Sequence, residues 1–317
     1  MEPLFDRCRN IRFGAIEGED LSLFYCGVND AITDLCRSLP GSLQAEGMLF
    51  FMTYAGIRMG EPLDFFRNYY QPAWSILPRL AALAGGEIPG LDALRGAHAM
   101  AMSLHSLDDH LVDGEVPVSH LALVIRSQMW RRMAEGIDSF ATAVPGGPET
   151  ARGLIDEYYR DICSERVPGS LVEYCALFRG QMATSLVAPL LLARRVKDDD
   201  DFIADVRGAY ESFGIAWRLL DDIQDIGEDA ARGTRSAVYV SLDNPGRGLW
   251  DDTSRGEDGT MRLCGIIENS RVIENLAGHI VAELGSAAER MERRGMNAMA
   301  DEFRALAKPV ADASGLP

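Results

Sequence analysis

The chain has 317 residues, 47% hydrophobic and 25% charged, enough to bury a large core. Its formal net charge is -17, the opposite of the balance a nucleic-acid binder needs, which excludes nucleic acid as a partner. An acidic chain that handles a phosphorylated substrate requires a cation to offset the charge.

Six cysteines (Cys8, Cys26, Cys36, Cys163, Cys175 and Cys264) form no CxxC pair and no Cys/His ligand pattern. The opening "MEPLFDRCRNIRFG" has no signal-peptide core, and no apolar run approaches the ~20 residues of a membrane span. These features predict a cytoplasmic protein with free, mostly buried thiols and no stable membrane insertion. Lys197 and Lys308 are the only lysines.

Helical periodicity runs through most of the chain. In order, it marks 21–39, 45–60, 64–86, 90–113, 119–144, 149–166, 170–196, 201–226 and 270–295. Breaks are expected at "GG", "PG", "PGGP" and "NPGRG". "AVYVSL" (237–242) comes closest to a strand. "KDDDD" (197–201) and "DDTSRGEDGT" (251–260) read as exposed loops. "MATSLVAPLLLA" is apolar on every side, which in a globular chain means a central helix ringed by others. The expectation is an all-α, single large helical bundle, one domain over 1–317 with its core at roughly 20–300.

Two stretches mix carboxylates with this helical pattern: "HSLDDHLVDGE" (105–115) and "WRLLDDIQDIGED" (217–229). Asp109 and Asp113 are four apart, as are Asp221 and Asp225, so each pair shares a helix face. Asp108 and Asp222 adjoin them. Like charges at this spacing repel, and a pattern that recurs at local cost points to a compensating cation. Oxygen-only ligands suit Mg²⁺, which keeps waters and bridges to phosphates. A single DxxxD is cheap in a chain with 48 acidic residues, and "KDDDD", lacking an apolar frame, reads as a solvated turn.

These two stretches resemble the aspartate-rich motifs of the class I isoprenoid synthases, closest to the trans-polyprenyl diphosphate synthases, over roughly residues 40–245. The second matches DDxxD at Asp221, Asp222 and Asp225. The first departs from that form, and Asp109 and Asp113, sharing a face, are the favoured ligands. The resemblance implies a bundle around a deep apolar cavity, a homodimer, and three Mg²⁺ ions holding the diphosphate of an allylic prenyl substrate. Aromatic and aliphatic walls suit the carbocation formed when diphosphate leaves. Phe50, Phe51, Tyr54, Phe178, Met182, Phe213 and Trp217 are candidate wall residues.

Chain-elongating members bind isopentenyl diphosphate through basic residues, beginning with GGKRxRP. The nearest stretch here is "AEGMLFFMTY" (45–54), and the Arg-Arg-Gly that follows the first motif is replaced by "GEVPVSH". No lysine falls near either; Arg58 and Arg67 are the nearest substitutes. The expected order of functions is therefore cyclisation or rearrangement of one ionised allylic diphosphate, then prenyl transfer to an acceptor without a diphosphate, then elongation. A silent partner subunit comes last, because both motifs are retained.

Diphosphate also needs cationic donors. Arg179, 42 residues before Asp221 (221 − 179 = 42), resembles the diphosphate-sensing arginine of terpene synthases. Gly180 after it allows a break or a close approach, and Gln181 is a weaker candidate for a diphosphate oxygen. Arg232 and Arg235 follow the second motif in a glycine-bearing segment, and Arg126 is a further inward candidate. Arg218 reads as a neutraliser of Asp221, and His110 as a neighbour of the metal carboxylates. The expected catalytic set is Arg179, Asp109 and Asp221.

Overall fold

Residues 183–193 are buried without exception, so the segment that is apolar all round becomes a core helix. The computed structural model describes residues 7–8, 11, 21–252 and 256–315. Among them are fifteen helices and no strand. They group into two compact units.

The first unit comprises residues 15–159 and 181–207. It holds α1 (Ser22–Ser38), α2 (Gln44–Tyr54), α3 (Pro72–Ala82), α4 (Leu91–Val112) and α5 (His120–Ala141). It also holds most of α6 (Gly147–Ile162), all of α8 (Ala183–Val196) and the start of α9 (Asp200–Gln224). Helices α3, α4 and α5 pack on α8, while α4 pairs with α5 along its length. The interior face of α4 is Leu94, Ala97, Met100, Ala101, Leu104 and Leu107, all buried. Fully burying one such side chain contributes about 1.5–3 kcal/mol. That burial carries the helix out to its acidic end.

The second unit comprises residues 1–14, 160–180 and 208–317. It contains most of α7 (Leu171–Gln181), the greater part of α9, α10 (Ile226–Arg232), α11 (Ala237–Ser241) and α12 (Asn244–Asp251). The chain continues through α13 (Gly256–Asn269), α14 (Val272–Arg293) and α15 (Asn297–Ser314). Helices α14 and α15 form its main pair. Phe213 of α9 packs on Phe303 of α15, with ring centroids 6.2 Å apart.

Several sequence expectations need correction. "AVYVSL" is the short helix α11: five residues are too few for β-branched propensity to decide, and Ser236 opens a helical turn. "NPGRG" starts α12 instead of breaking the chain, because proline is tolerated in a first helical turn and Asp243 accepts a hydrogen bond from the Gly246 N–H. In "DDTSRGEDGT", residues 256–260 open α13, and 253–255 lie outside the described residues. The periodic run 170–196 divides at Met182 into α7 and α8, and 64–86 is helical only from Pro72. "KDDDD" ends one helix and begins the next: Asp199 Oδ1 accepts from the N–H groups of Asp201 and Phe202. Cys8, Cys36 and Cys175 are buried but Cys26, Cys163 and Cys264 are exposed, so the thiols are not mostly buried. No single described helix is long and apolar enough to cross a membrane.

Candidate active site: two carboxylate-bearing helix ends

In the first unit, α4 ends at Val112 and Asp113 stands at its C-cap, its N–H donating to the Asp109 carbonyl at 2.9 Å. Both side chains are exposed. Asp108 differs from them. Arg126 of α5 donates to both of its oxygens, Nε at 2.5 Å and an Nη at 2.8 Å, and the Tyr158 hydroxyl adds a third bond at 2.9 Å. This is a bidentate pair capped by a buried phenol. Burial and the Asp108 charge push the Tyr158 hydroxyl well above its ordinary range, so it stays a donor.

The second unit repeats the arrangement at the end of α9. That helix stops at Gln224, and Asp225 stands next, its N–H donating to the Asp221 carbonyl, again at 2.9 Å. Asp221 is half-buried and Asp225 exposed. Asp222 is 2% exposed. One of its oxygens lies 3.0 Å from Nε of Arg218, one turn earlier on the same helix. The other accepts the Ala237 N–H at 2.7 Å, which ties the motif to the start of α11. Arg218 also donates to the Tyr174 hydroxyl at 2.9 Å and lies 4.0 Å from Asp221, so it neutralises Asp222 first. Each end thus pairs an i, i+4 set, exposed apart from the half-buried Asp221, with one aspartate held by an arginine and served by a tyrosine.

Asp229, one turn past Asp225, is also buried. Burial, then the Asp222 charge, push its carboxyl up to about 7, against the pull of Arg218.

Each end fits magnesium by donor chemistry. Asp109 with Asp113, and Asp221 with Asp225, each offer two carboxylates on one face, which is the number Mg²⁺ draws from protein while keeping waters and substrate oxygens. Among the described residues no three His, Cys, Asp or Glu side chains group closely enough to hold a metal by themselves.

The candidate diphosphate donors stand as follows. Arg126 is engaged with Asp108. Arg179 donates to Glu283 at 2.9 Å and lies 4.0 Å from Glu211, with His279 and Ser212 also on Glu283. His279 is pushed up to about 9 by its bonds to Cys175 and Glu283. Gly180 is explained by Asp161, because a Cβ there would sit 1.7 Å from an Asp161 oxygen. Gln181 is the last residue of α7 and half-buried. Arg232 pairs with Glu228 at 3.1 Å, and Gly233, left-handed at φ 74, simply ends α10. Arg235 is exposed and lies 5.4 Å over the Tyr239 ring. Among the described residues it is the one candidate arginine of the four with no carboxylate partner.

Beside the first end lies an open pocket of about 610 Å³, lined by α2 from Glu46 to Tyr54 and by residues between 110 and 121. The stretches 45–54 and 114–120, set against basic motifs by the resemblance, both contribute to its lining. Phe50 and Tyr54 line it, and the Tyr54 hydroxyl is 2.8 Å from Nδ1 of His110. Glu46 and Glu115 are its charged members, and no lysine or arginine is among its lining. Arg67 is held by Glu61 at 3.1 Å, and Arg58 is exposed outside the pocket. The other wall candidates are core: Phe51 sits edge-on to Phe65, Phe178, Met182 and Phe213 are buried, and Trp217 is half-buried. Sequence reading missed Tyr158, Tyr174 and the pocket's acidic lining, although Glu46 and Glu115 both stood inside the stretches 45–54 and 114–120.

No family model matches the sequence, and no curated protein does. Solved structures do match. A decaprenyl diphosphate synthase from Rhodobacter capsulatus superposes with a TM-score of 0.67 at 14% identity, covering 95% of this chain and 98% of its own. A geranylgeranyl pyrophosphate synthase from Corynebacterium glutamicum gives 0.66 at 13%, covering 98% of each. A polyprenyl synthase from Caulobacter crescentus, complexed with calcium and isoprenyl diphosphate, gives 0.65 at 16%, covering 99% of this chain and 98% of its own. The chain therefore has the all-α fold of the trans-polyprenyl diphosphate synthases, the isoprenoid synthase fold.

Proposed function

We propose that this protein is a magnesium-dependent prenyltransferase that ionises an allylic prenyl diphosphate and passes the prenyl group to an acceptor lacking a diphosphate. The observation that carries this reading is the repeated helix end: a solvent-reaching i, i+4 aspartate pair beside an aspartate anchored by arginine. Asp109 and Asp113, and Asp221 and Asp225, would hold magnesium, which when bound supplies Lewis-acid stabilisation of the departing diphosphate. Asp108 and Asp222, engaged elsewhere, act as positioning residues for those pairs. Arg235 is the favoured donor to diphosphate oxygens, since no carboxylate competes for it. Arg179, Gln181, Arg232 and Arg126 are secondary, the arginines because each must first share or leave an acidic partner.

In the reaction the prenyl C1–O bond breaks and its electron pair leaves with diphosphate. The acceptor's electron pair then forms the new bond to C1, and the acceptor's proton passes to water. Transfer is placed ahead of cyclisation because the fold likeness is to synthases that join prenyl units, and because a pocket without cations adjoins the first acidic end. Cyclisation stays as the second reading, favoured by that same absence of a basic second-diphosphate site. In this proposal the chain is one catalytic domain acting as a cytoplasmic homodimer, with three magnesium ions when substrate is bound, as the resemblance implies.

The test is incubation with C10 to C25 allylic diphosphates and Mg²⁺, with and without isopentenyl diphosphate, reading diphosphate release and the masses of the organic products. Absence of diphosphate release removes the proposal. A product longer by five carbons restores elongation, and a hydrocarbon formed without acceptor establishes cyclisation.

A further inference from the structure

We infer that the pocket beside the first acidic end takes a flat aromatic amine as the prenyl acceptor. The inference rests on the transferase reading above and deepens it. Its first support is charge. A second prenyl diphosphate brings several negative charges, and the lining answers with two carboxylates, Glu46 and Glu115, and no arginine or lysine. Such a site repels an anion and attracts an ammonium or N–H donor. Glu46 is exposed, and among the described residues its carboxylate has no hydrogen-bond or ion-pair partner, so it meets a ligand without first breaking a bond.

The second support is shape. The Phe50 and Tyr54 rings, one helical turn apart, are stacked nearly parallel, 5° apart with centroids separated by 6.1 Å, and both line the pocket. The hydroxyl of Tyr54 is fixed on His110 at 2.8 Å, which holds that ring in place. Leu49, Pro117 and Leu121 complete an apolar lining. A ring laid against these aromatic and aliphatic side chains gains aromatic contact and buried area, while a carboxylate at the rim takes its amine. The volume, about 610 Å³, falls within the range of roughly 300–1,000 Å³ for small-molecule sites.

The third support is convergence. The two stretches that stand where the resemblance would place basic residues lie 60 or more residues apart in the chain, yet both contribute to this one pocket. What they bring there is acidic, aromatic and aliphatic, a lining that selects a different acceptor from a diphosphate.

The experiment uses the full chain without magnesium or prenyl diphosphate, so that it reports acceptor binding alone. Isothermal titration calorimetry compares tryptamine with indole-3-propionate, which carries the same ring but the opposite charge, and with isopentenyl diphosphate. The expected result is saturable tryptamine binding and much weaker binding of both anions. Glu46→Gln and Glu115→Gln, both at exposed positions, should each weaken tryptamine by about threefold to fivefold. Phe50→Ala should weaken all indoles alike. No saturable tryptamine binding, equal affinity for indole-3-propionate, or an unchanged Kd in both glutamine variants would overturn the inference. Diphosphate release measured separately decides the transferase reading, so the two fail independently.

Discussion

The ends of α4 and α9 solve one problem by two routes. Each must present two aspartates at adjacent turns, and each spends a third aspartate on holding the helix end. In the first unit that third residue, Asp108, precedes the pair and takes its arginine from a neighbouring helix, α5, with Tyr158 from α6. In the second unit Asp222 follows Asp221 and takes Arg218 from its own helix, and its other oxygen caps α11. The first anchor is a tertiary contact between helices. The second is mostly local and almost fully buried. The shared pattern is therefore chemical, and a family resemblance alone would not have revealed which aspartate of each motif faces inward.

The comparison breaks most visibly in activity. Asp109→Ala, Asp113→Ala and Asp221→Ala should each lower diphosphate release by ~10² or more, while circular dichroism and the unfolding midpoint stay near wild type. Near-normal turnover in these variants would remove the exposed pairs from the reaction. Arg235→Ala should lower kcat by about 10²-fold as a lost charge donor, with Arg235→Lys recovering part. Arg126→Ala should instead act first on stability.

The anchors differ in the next prediction. Asp222→Ala leaves Arg218 without its carboxylate at a site 2% exposed, and should cost about 3–5 kcal/mol by urea denaturation. Asp108 is 16% exposed and its arginine 33%, so Asp108→Ala should cost less, about 1–3 kcal/mol. Equal losses would mean that the local and the cross-helix anchor are energetically the same.

The smallest effect is a pH dependence confined to the second unit. Folded Asp229 keeps its proton up to about pH 7, whereas an unfolded aspartate releases it near 3.8. Folding therefore takes up a proton across that window, and wild-type stability falls as pH rises from 4 to 7, then levels. Asp229→Asn removes the charge, so its Tm should exceed wild type at pH 8 and match it at pH 4. A gap that persists at pH 4 would assign the effect to packing.

What the sequence made legible follows from what periodicity encodes. The burial of α8 was readable because no face of "MATSLVAPLLLA" is polar. The exposed pairs were readable because a spacing of four fixes a shared face. Arg218 was readable as a neutraliser of Asp221, which lies 4.0 Å away, but its closer partner Asp222 was not, since a position one turn away serves either neighbour. Tyr158 and Tyr174 were not readable: a period says which face of a helix is buried, never which helix covers it. Proline misled at "NPGRG", where its position in a first turn makes it a helix starter. Arg126 resembled a ligand donor because nothing local paired it, and its partner lies 18 residues earlier on another helix.

Asp113 stands one residue beyond the last helical position of α4, and Asp225 stands between the end of α9 and the start of α10, for which it is the N-cap residue. The last carbonyls of a helix lack intrahelical partners, and the aligned peptide dipoles leave about half a negative charge at that terminus. At the end of α4 two carboxylates add to a field already unfavourable to them, whereas at Asp225 the N-terminus of α10 offsets that field. On the proposed function, a bound cation would relieve the α4 end of backbone as well as side-chain charge. Amide exchange over 109–113 and 221–225 should run ahead of the rest of α4 and α9, and slow when magnesium and inorganic diphosphate are added. The last turn of each helix is then the part of the protein whose rigidity is set by its ligand.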